Sequence, residues 1–266
     1  MTYSDNAVIP QPLLAPDEPP AFEIVNANGC GNAVLVCDHA SNRVPRRLGN
    51  LGLAPEQLAD HIGWDPGAAE VARRLSAQLD APLMLSGYSR LVIDCNRPLR
   101  SPELIAEQSA GVPVPGNCRL SPEDRNLRIN TLFQPYHRAI TKLLDDRTRR
   151  PSLLLSIHSF TPVLDNKPRP WHIGVSYGRD RRLAALLLNT LARDASIIVG
   201  DNQPYPIDDE FDYTIPVHGE ARGIKNVMIE IRQDGIRTAV DATAWATRLA
   251  EVYRRIEVGT PDFFEI

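Results

Sequence analysis

Residues 153–159 read LLLSIHS, an almost unbroken apolar run that stops at a histidine. Five such residues bounded by polar ones suit a strand covered on both faces, where alternation disappears because neither side meets water. The same plan recurs along the chain. Residues 33–39 (AVLVCDH) run into Asp38 and His39, residues 91–97 (LVIDCNR) into Asp94, Asn96 and Arg97, and residues 226–232 (NVMIEIR) into Glu230 and Arg232. Residues 172–177 (HIGVSY) form another run, and 82–85 (PLML) a shorter one. Between these runs the period changes to threes and fours. Residues 66–79 place Ala69, Ala72 and Leu75 close to one face, and residues 127–146 bring Leu132, Tyr136, Ile140 and Leu143 together. Residues 181–195 and 239–256 also read as helices. Strands alternating with helices predict an α/β fold with three layers: a mixed, mostly parallel central sheet with helices on both faces.

The Pro- and acid-rich residues 1–22 read as an extended N-terminal arm, and residues 23–266 as a single α/β domain. The segments 101–122 and 201–216, dense in Pro, Asn and acidic residues, read as long loops, of the kind that usually carry function. The 266 residues hold 29 Lys+Arg against 33 Asp+Glu. That leaves no basic excess to neutralise a phosphate backbone, so the reading excludes nucleic acid as a partner and favours a small-molecule substrate. No apolar run is of membrane-spanning length, and no basic-then-apolar leader opens the sequence, so membrane association and secretion are not expected. Four cysteines without CxxC spacing argue against a zinc–thiolate cluster and for a reduced, cytoplasmic protein.

The chemistry concentrates where the strands stop. In an open α/β sheet, ligands bind outside the carboxyl ends of the strands. Two histidines and several carboxylates delivered there suit a metal, because imidazole nitrogen and carboxylate oxygen are the usual zinc ligands besides thiolate. Each residue also has a structural alternative. Asp65 directly precedes Pro66 and a helical pattern, which is an N-cap arrangement. Asp94 could pair with Arg90 or Arg97. Glu230 lies within a strand pattern on the same side as Met228, where an unpartnered carboxylate would be costly to bury. His61 and His137 read as structural, His172 fits either role, and His218 sits in a Gly-bearing loop. Arg147, Arg149 and Arg150 read as a solvated face. No GxSxG elbow, phosphate-binding loop, GxGxxG, HExxH or deaminase signature competes with a zinc hydrolase of dispersed ligands.

Taken in order, VLVCDHASNRVP (34–45), HIGWDPGA (61–68), SRLVIDCNRP (89–98), LLLSIHSF (153–160), GDNQPYP (200–206) and HGEARGIKNVMIEIRQD (218–234) resemble the N-formylglutamate amidohydrolase family over about residues 30–240. The resemblance implies a phosphorylase/hydrolase-like fold, similar to zinc carboxypeptidases and N-acetylmuramoyl-L-alanine amidases. It also implies a place in histidine degradation. By the same resemblance, His39, Asp65 and His158 would hold Zn2+ or another divalent metal, with Asp38 or His61 as alternatives to Asp65. Glu230 would be the general base. Arg90, or Arg222, would face the oxyanion. Asn96, Arg97, Arg222, Arg232 and His218 would contact an N-formyl or N-acyl acidic amino acid. The rivals are a zinc peptidase, a muramoyl amidase, and a non-catalytic relative that binds dicarboxylates.

Overall fold

The computed structural model describes residues 11–147 and 153–260. Its central sheet has seven strands: β1 (Phe22–Val25), β2 (Ala33–Cys37), β3 (Leu83–Ser86), β4 (Leu153–Phe160), β5 (Ile173–Ser176), β6 (Val199–Asp201) and β7 (Asn226–Arg232). They lie in the order β1-β3-β2-β4-β7-β5-β6. β3, β2, β4 and β7 are mutually parallel. β1 runs against β3 and β5 against β7, so the sheet is mixed.

β2 and β4 are central and almost wholly buried, which is why their sequences lose alternation. The pleat still sorts their side chains. Leu35, Leu155, Ile157, Val227 and Ile229 face a core shared with α1 (Ala68–Leu79), α4 (Arg182–Leu191) and α5 (Ala239–Gly259). Val34, Val36, Met84, Leu154 and Met228 face the opposite way, onto Tyr136, Ile140 and Leu144 of α3 (Gln134–Asp145). Helices therefore cover both faces, as the alternating pattern predicts.

Several local expectations are corrected. Residues 91–93 do not form a strand: they turn within a second apolar cluster with Leu104, Leu132 and Phe133. Their backbone groups find partners outside any sheet, because Asn117 Nδ2 donates to Leu91 O at 2.8 Å and Arg128 Nη1 to Val92 O at 3.0 Å. The expected helix over 127–146 begins earlier. Ser121 caps α2 (Pro122–Arg128), and a wide turn at Ile129–Phe133 separates it from α3. Pro135 explains the widening, since it has no N–H to give and its ring crowds the preceding turn. Phe22, assigned to the arm, opens β1. The described remainder of the arm is tied down through buried Leu13 and a 2.6 Å hydrogen bond from Tyr88 Oη to Pro19 O, whereas residues 1–10 lie outside the described residues. Arg147 is buried and donates to Gly29 O and Gly31 O, so it is no solvated charge; Arg149 and Arg150 lie outside the described residues.

Candidate metal centre and reaction cavity

Because β2, β4 and β7 are parallel neighbours, their carboxyl ends meet at one edge of the sheet. β2 ends into Asp38 and His39, and β4 carries His158 near its end. In the β4–β7 register Glu230 stands beside His158, so both side chains leave the same face. Asp65 arrives from a turn between β2 and α1. Its N–H donates to His39 O at 3.0 Å, and Ser159 Oγ donates to Pro66 O at 2.9 Å, which pins the turn to both strand ends. Gly67 closes that turn at φ 83°, and a Cβ there would stand 2.5 Å from Ile236 O. The helix is capped at Gly67, and the Asp65 carboxylate does not cap it. That carboxylate points instead at the two imidazoles.

His39, Asp65 and His158 are buried and offer ligand atoms that all lie within 4.8 Å of one another. Asp65 Oδ2 is 2.8 Å from His158 Nδ1 and 3.4 Å from His39 Nδ1. Among the described residues, His39 Nδ1 is a buried nitrogen without a hydrogen-bond partner. The far nitrogens are each backed by a carboxylate: His39 Nε2 lies 2.7 Å from Asp94 Oδ1, and His158 Nε2 lies 3.2 Å from Asp38 Oδ2. A second ring nitrogen bonded to a carboxylate is how metal-binding histidines are oriented and made more basic. These backing carboxylates are themselves held. Tyr136 Oη and Thr214 Oγ1 donate to Asp38 at 2.9 and 2.8 Å, and Arg90 Nη2 and Asn96 N donate to Asp94 at 2.7 and 2.8 Å.

The electrostatics agree with a cation-seeking site. Burial works against ionisation of Asp38, but its hydrogen bond to His158 and the nearby imidazole charges hold its pKa at about 2. Against the same burial, Arg90 and His39 keep Asp94 well below the usual carboxylate range, and the two imidazoles keep Asp65 low. Burial also opposes a proton on His158, but Asp38 and Asp65 outweigh it and raise its pKa. Three ionised carboxylates against one guanidinium leave an excess of negative charge that protons or a divalent cation can balance. Both compete for the same nitrogen lone pairs. Two nitrogens and one oxygen, buried and backed in this way, fit a three-ligand catalytic zinc site.

Glu230 is 6% exposed, and among the described residues its Oε2 has no hydrogen-bond partner. Burial, helped by the charge of Asp65, raises its pKa to about 7. A carboxyl poised near neutrality can both take and return a proton.

These groups open into a cavity of about 520 Å³, which His61, Arg90, Asn96, Arg97 and Arg169 also line. Phe160, Leu164, Phe211 and Met228 supply apolar wall. Asn96 clasps the 208–214 loop, giving a 2.9 Å hydrogen bond to Asp212 Oδ1 and accepting from the N–H groups of Tyr213 and Thr214. Arg97 is held by Glu103 and by Phe211 O.

Three residues expected at the substrate lie elsewhere. Arg222 pairs with Asp145 at the end of α3. Arg232 bonds Asp234 and the backbone oxygens of Arg169 and Pro170. His218 is stacked on buried His137, with a ring-nitrogen separation of 3.0 Å. None of the three lines the cavity. His172 accepts from Ile198 N at 2.9 Å. Nothing in the local sequence pattern marks the backing role of Asp94 or the presence of Arg169 in the wall. A signal for Asp38 existed, since it continues the pleat face of Val34 and Val36 beside Ser156 and His158.

The model of the N-formylglutamate amidohydrolase family matches residues 31–237. The chain belongs to this family. Among solved structures it is similar to a gene product of Agrobacterium tumefaciens, at 37% identity and a TM-score of 0.90, covering 94% of this chain and 99% of that one. It is also similar to N-formylglutamate amidohydrolase from Ralstonia eutropha JMP134, at 21% identity and a TM-score of 0.66, covering 88% and 98%. At that identity the second likeness supports the fold. Comparison with curated proteins gives no match. As a member of the N-formylglutamate amidohydrolase family the protein is of an amide-hydrolase type, and its buried His–Asp–His group could hold a metal. Among the described residues, no helix is long and apolar enough to cross a membrane.

Proposed function

We propose that the protein hydrolyses the amide bond of an N-formyl or N-acyl acidic amino acid, such as N-formylglutamate, with a divalent cation, zinc by preference, held by His39, Asp65 and His158. One observation carries this reading: two carboxylate-backed imidazoles converge with Asp65 beside a buried carboxyl that has a free oxygen. A divalent cation in such a site supplies Lewis acidity, polarising a carbonyl and making water acidic enough to ionise near neutrality.

The chain's own residues do the rest. Glu230 takes a proton from the attacking water at its unpartnered oxygen as the C–O bond forms at the acyl carbon. It then returns that proton to the nitrogen as the C–N bond breaks, releasing formate and the amino acid. Arg90, fixed by Asp94 at 2.7 Å and lying 3.7 Å from Asp65, presents a guanidinium to the negative charge that grows on the carbonyl oxygen. Asp94 and Asp38 keep the imidazoles in the tautomer that turns Nδ1 toward the cavity. Asn96 and Arg97 border the space for the leaving group. Unpaired cysteines, two of them buried, fit a cytoplasmic setting.

The test is elemental analysis of the purified protein together with a hydrolysis screen over N-formyl- and N-acetyl-glutamate and aspartate, a peptide and a muropeptide. Bound divalent metal and turnover confined to the N-acyl acidic amino acids are expected. Turnover of the peptide or muropeptide alone, or absence of turnover with metal bound, would reject the assignment.

A further inference from the structure

Among the described residues, Arg169 is the arginine of the cavity wall whose charge has no counter-ion. Arg90 is bound to Asp94, and Arg97 is bound to Glu103 and lies 3.9 Å from Asp212. Arg169 is only 8% exposed, yet its side-chain hydrogen bonds go to two neutral oxygens, Thr161 Oγ1 at 3.4 Å and Tyr205 Oη. Among the described residues no carboxylate forms an ion pair with it. Burying a guanidinium beside neutral partners alone is unfavourable, so the arrangement is incomplete without an anion.

The surroundings hold this group in place. Its guanidinium carbon lies 4.9 Å from the ring centre of Tyr205 and 5.7 Å from that of Phe160, a stacking that orients its plane. Its backbone is fixed at both ends: Arg169 N donates to Pro162 O at 2.8 Å, and Arg232 Nη1 donates to Arg169 O at 3.0 Å. Arg232, expected to touch substrate, thus bonds the segment that carries Arg169. The topology explains why Arg169 reaches the site. β5 runs against β7, so the chain entering β5 lies at the edge where β7 delivers Glu230. Gly174 sits opposite Glu230 in that register, and a Cβ there would stand 1.8 Å from Gln203 O. Only glycine therefore lets the loop carrying Tyr205 cross so close.

We infer that Arg169 is the residue that binds a carboxylate of the substrate, through its paired guanidinium N–H groups, and so selects acidic N-acyl amino acids. The inference rests on the cavity being that of an amide hydrolase, but the two can fail separately, because binding of an unreactive diacid needs no turnover.

Glutarate, which has two carboxylates and no scissile bond, is the first probe. Calorimetry should give a Kd about 10- to 100-fold weaker in Arg169→Gln than in wild type, as expected for losing hydrogen bonds to a charged group, and an intermediate value in Arg169→Lys. KM for N-formyl-L-glutamate should rise by a similar factor, with a smaller change in kcat. N-formylglutamine and N-formylisoglutamine separate the two carboxylates, since the penalty vanishes for the analogue whose amide replaces the one Arg169 holds. Should Arg169→Gln fail to fold by circular dichroism, Arg169→Lys and Tyr205→Phe carry the same measurements, with weakening of a few-fold expected. Glutarate affinity unchanged in folded variants, no glutarate binding by wild type, or an equal KM penalty for all three formyl substrates would each overturn the inference. Glutarate binding that depends on Arg169 without any hydrolysis would overturn the proposed function and leave the inference standing.

Discussion

Replacing Glu230 with glutamine should make the metal-free protein gain stability relative to wild type as the pH rises, and the enzyme far less active. The Glu230 carboxyl is buried, has one oxygen without a partner, and is raised by burial from an ordinary 4.5 to about 7. A raised carboxyl pKa means that the folded chain holds the proton more tightly than the unfolded one. The associated stability is fully present below about pH 4.5 and is lost as the pH rises through about 7. Above that, the difference between the two pKa values corresponds to about 3 kcal/mol of penalty for the ionised form. Glutamine has nearly the same shape and never ionises. Relative to wild type, Glu230→Gln should therefore gain about 2–3 kcal/mol between about pH 5 and pH 8.5, roughly 5–10 °C in Tm for a chain of this size. The pH-independent cost of burying the amide cancels in that comparison. Urea or thermal unfolding of chelator-treated protein at the two pH values measures it. Parallel pH dependence of the two proteins would refute the account of Glu230 as a destabilised buried acid. In the metal-loaded protein the same change should lower kcat by at least roughly 100-fold, as for loss of a general base, with metal content retained. Full turnover in the variant would reject the mechanism.

The combined change His39→Ala and His158→Ala should abolish stoichiometric uptake of a divalent metal, and equal metal content by elemental analysis would remove the ligand assignment. Asp94→Asn should weaken metal affinity by about 10- to 100-fold through loss of the carboxylate behind His39, read by competition with a chromogenic chelator; unchanged affinity would make Asp94 a partner of Arg90 alone. Gly67→Ala should destabilise the protein by about 1–3 kcal/mol, since φ is positive there and a Cβ would stand 2.5 Å from Ile236 O. An unfolding midpoint equal to that of wild type would show that the turn holding Asp65 can relax.

Read alone, the sequence determined the layers and the groups at their edge. An apolar run that loses alternation marks a strand buried on both faces, and this local pattern located β2, β4 and β7 together with the polar residues that end them. His39, His158 and Glu230 were legible for that reason, because each is attached to the run that delivers it. The apolar run at 91–93 misled because burial leaves the same mark on a strand as on a turn whose backbone bonds to Asn117 and Arg128. Which charges meet was decided by the tertiary structure. Arg222 and Arg232 neighbour Glu230 in sequence but pair elsewhere, whereas Arg169 reaches the cavity because β5 runs against β7. Asp94 backs His39 across 55 residues of chain, and Asp65 turns from the helix cap to the imidazoles. Burial follows from local composition, but the pairing of long side chains depends on strand order and direction, which no short stretch of the chain encodes.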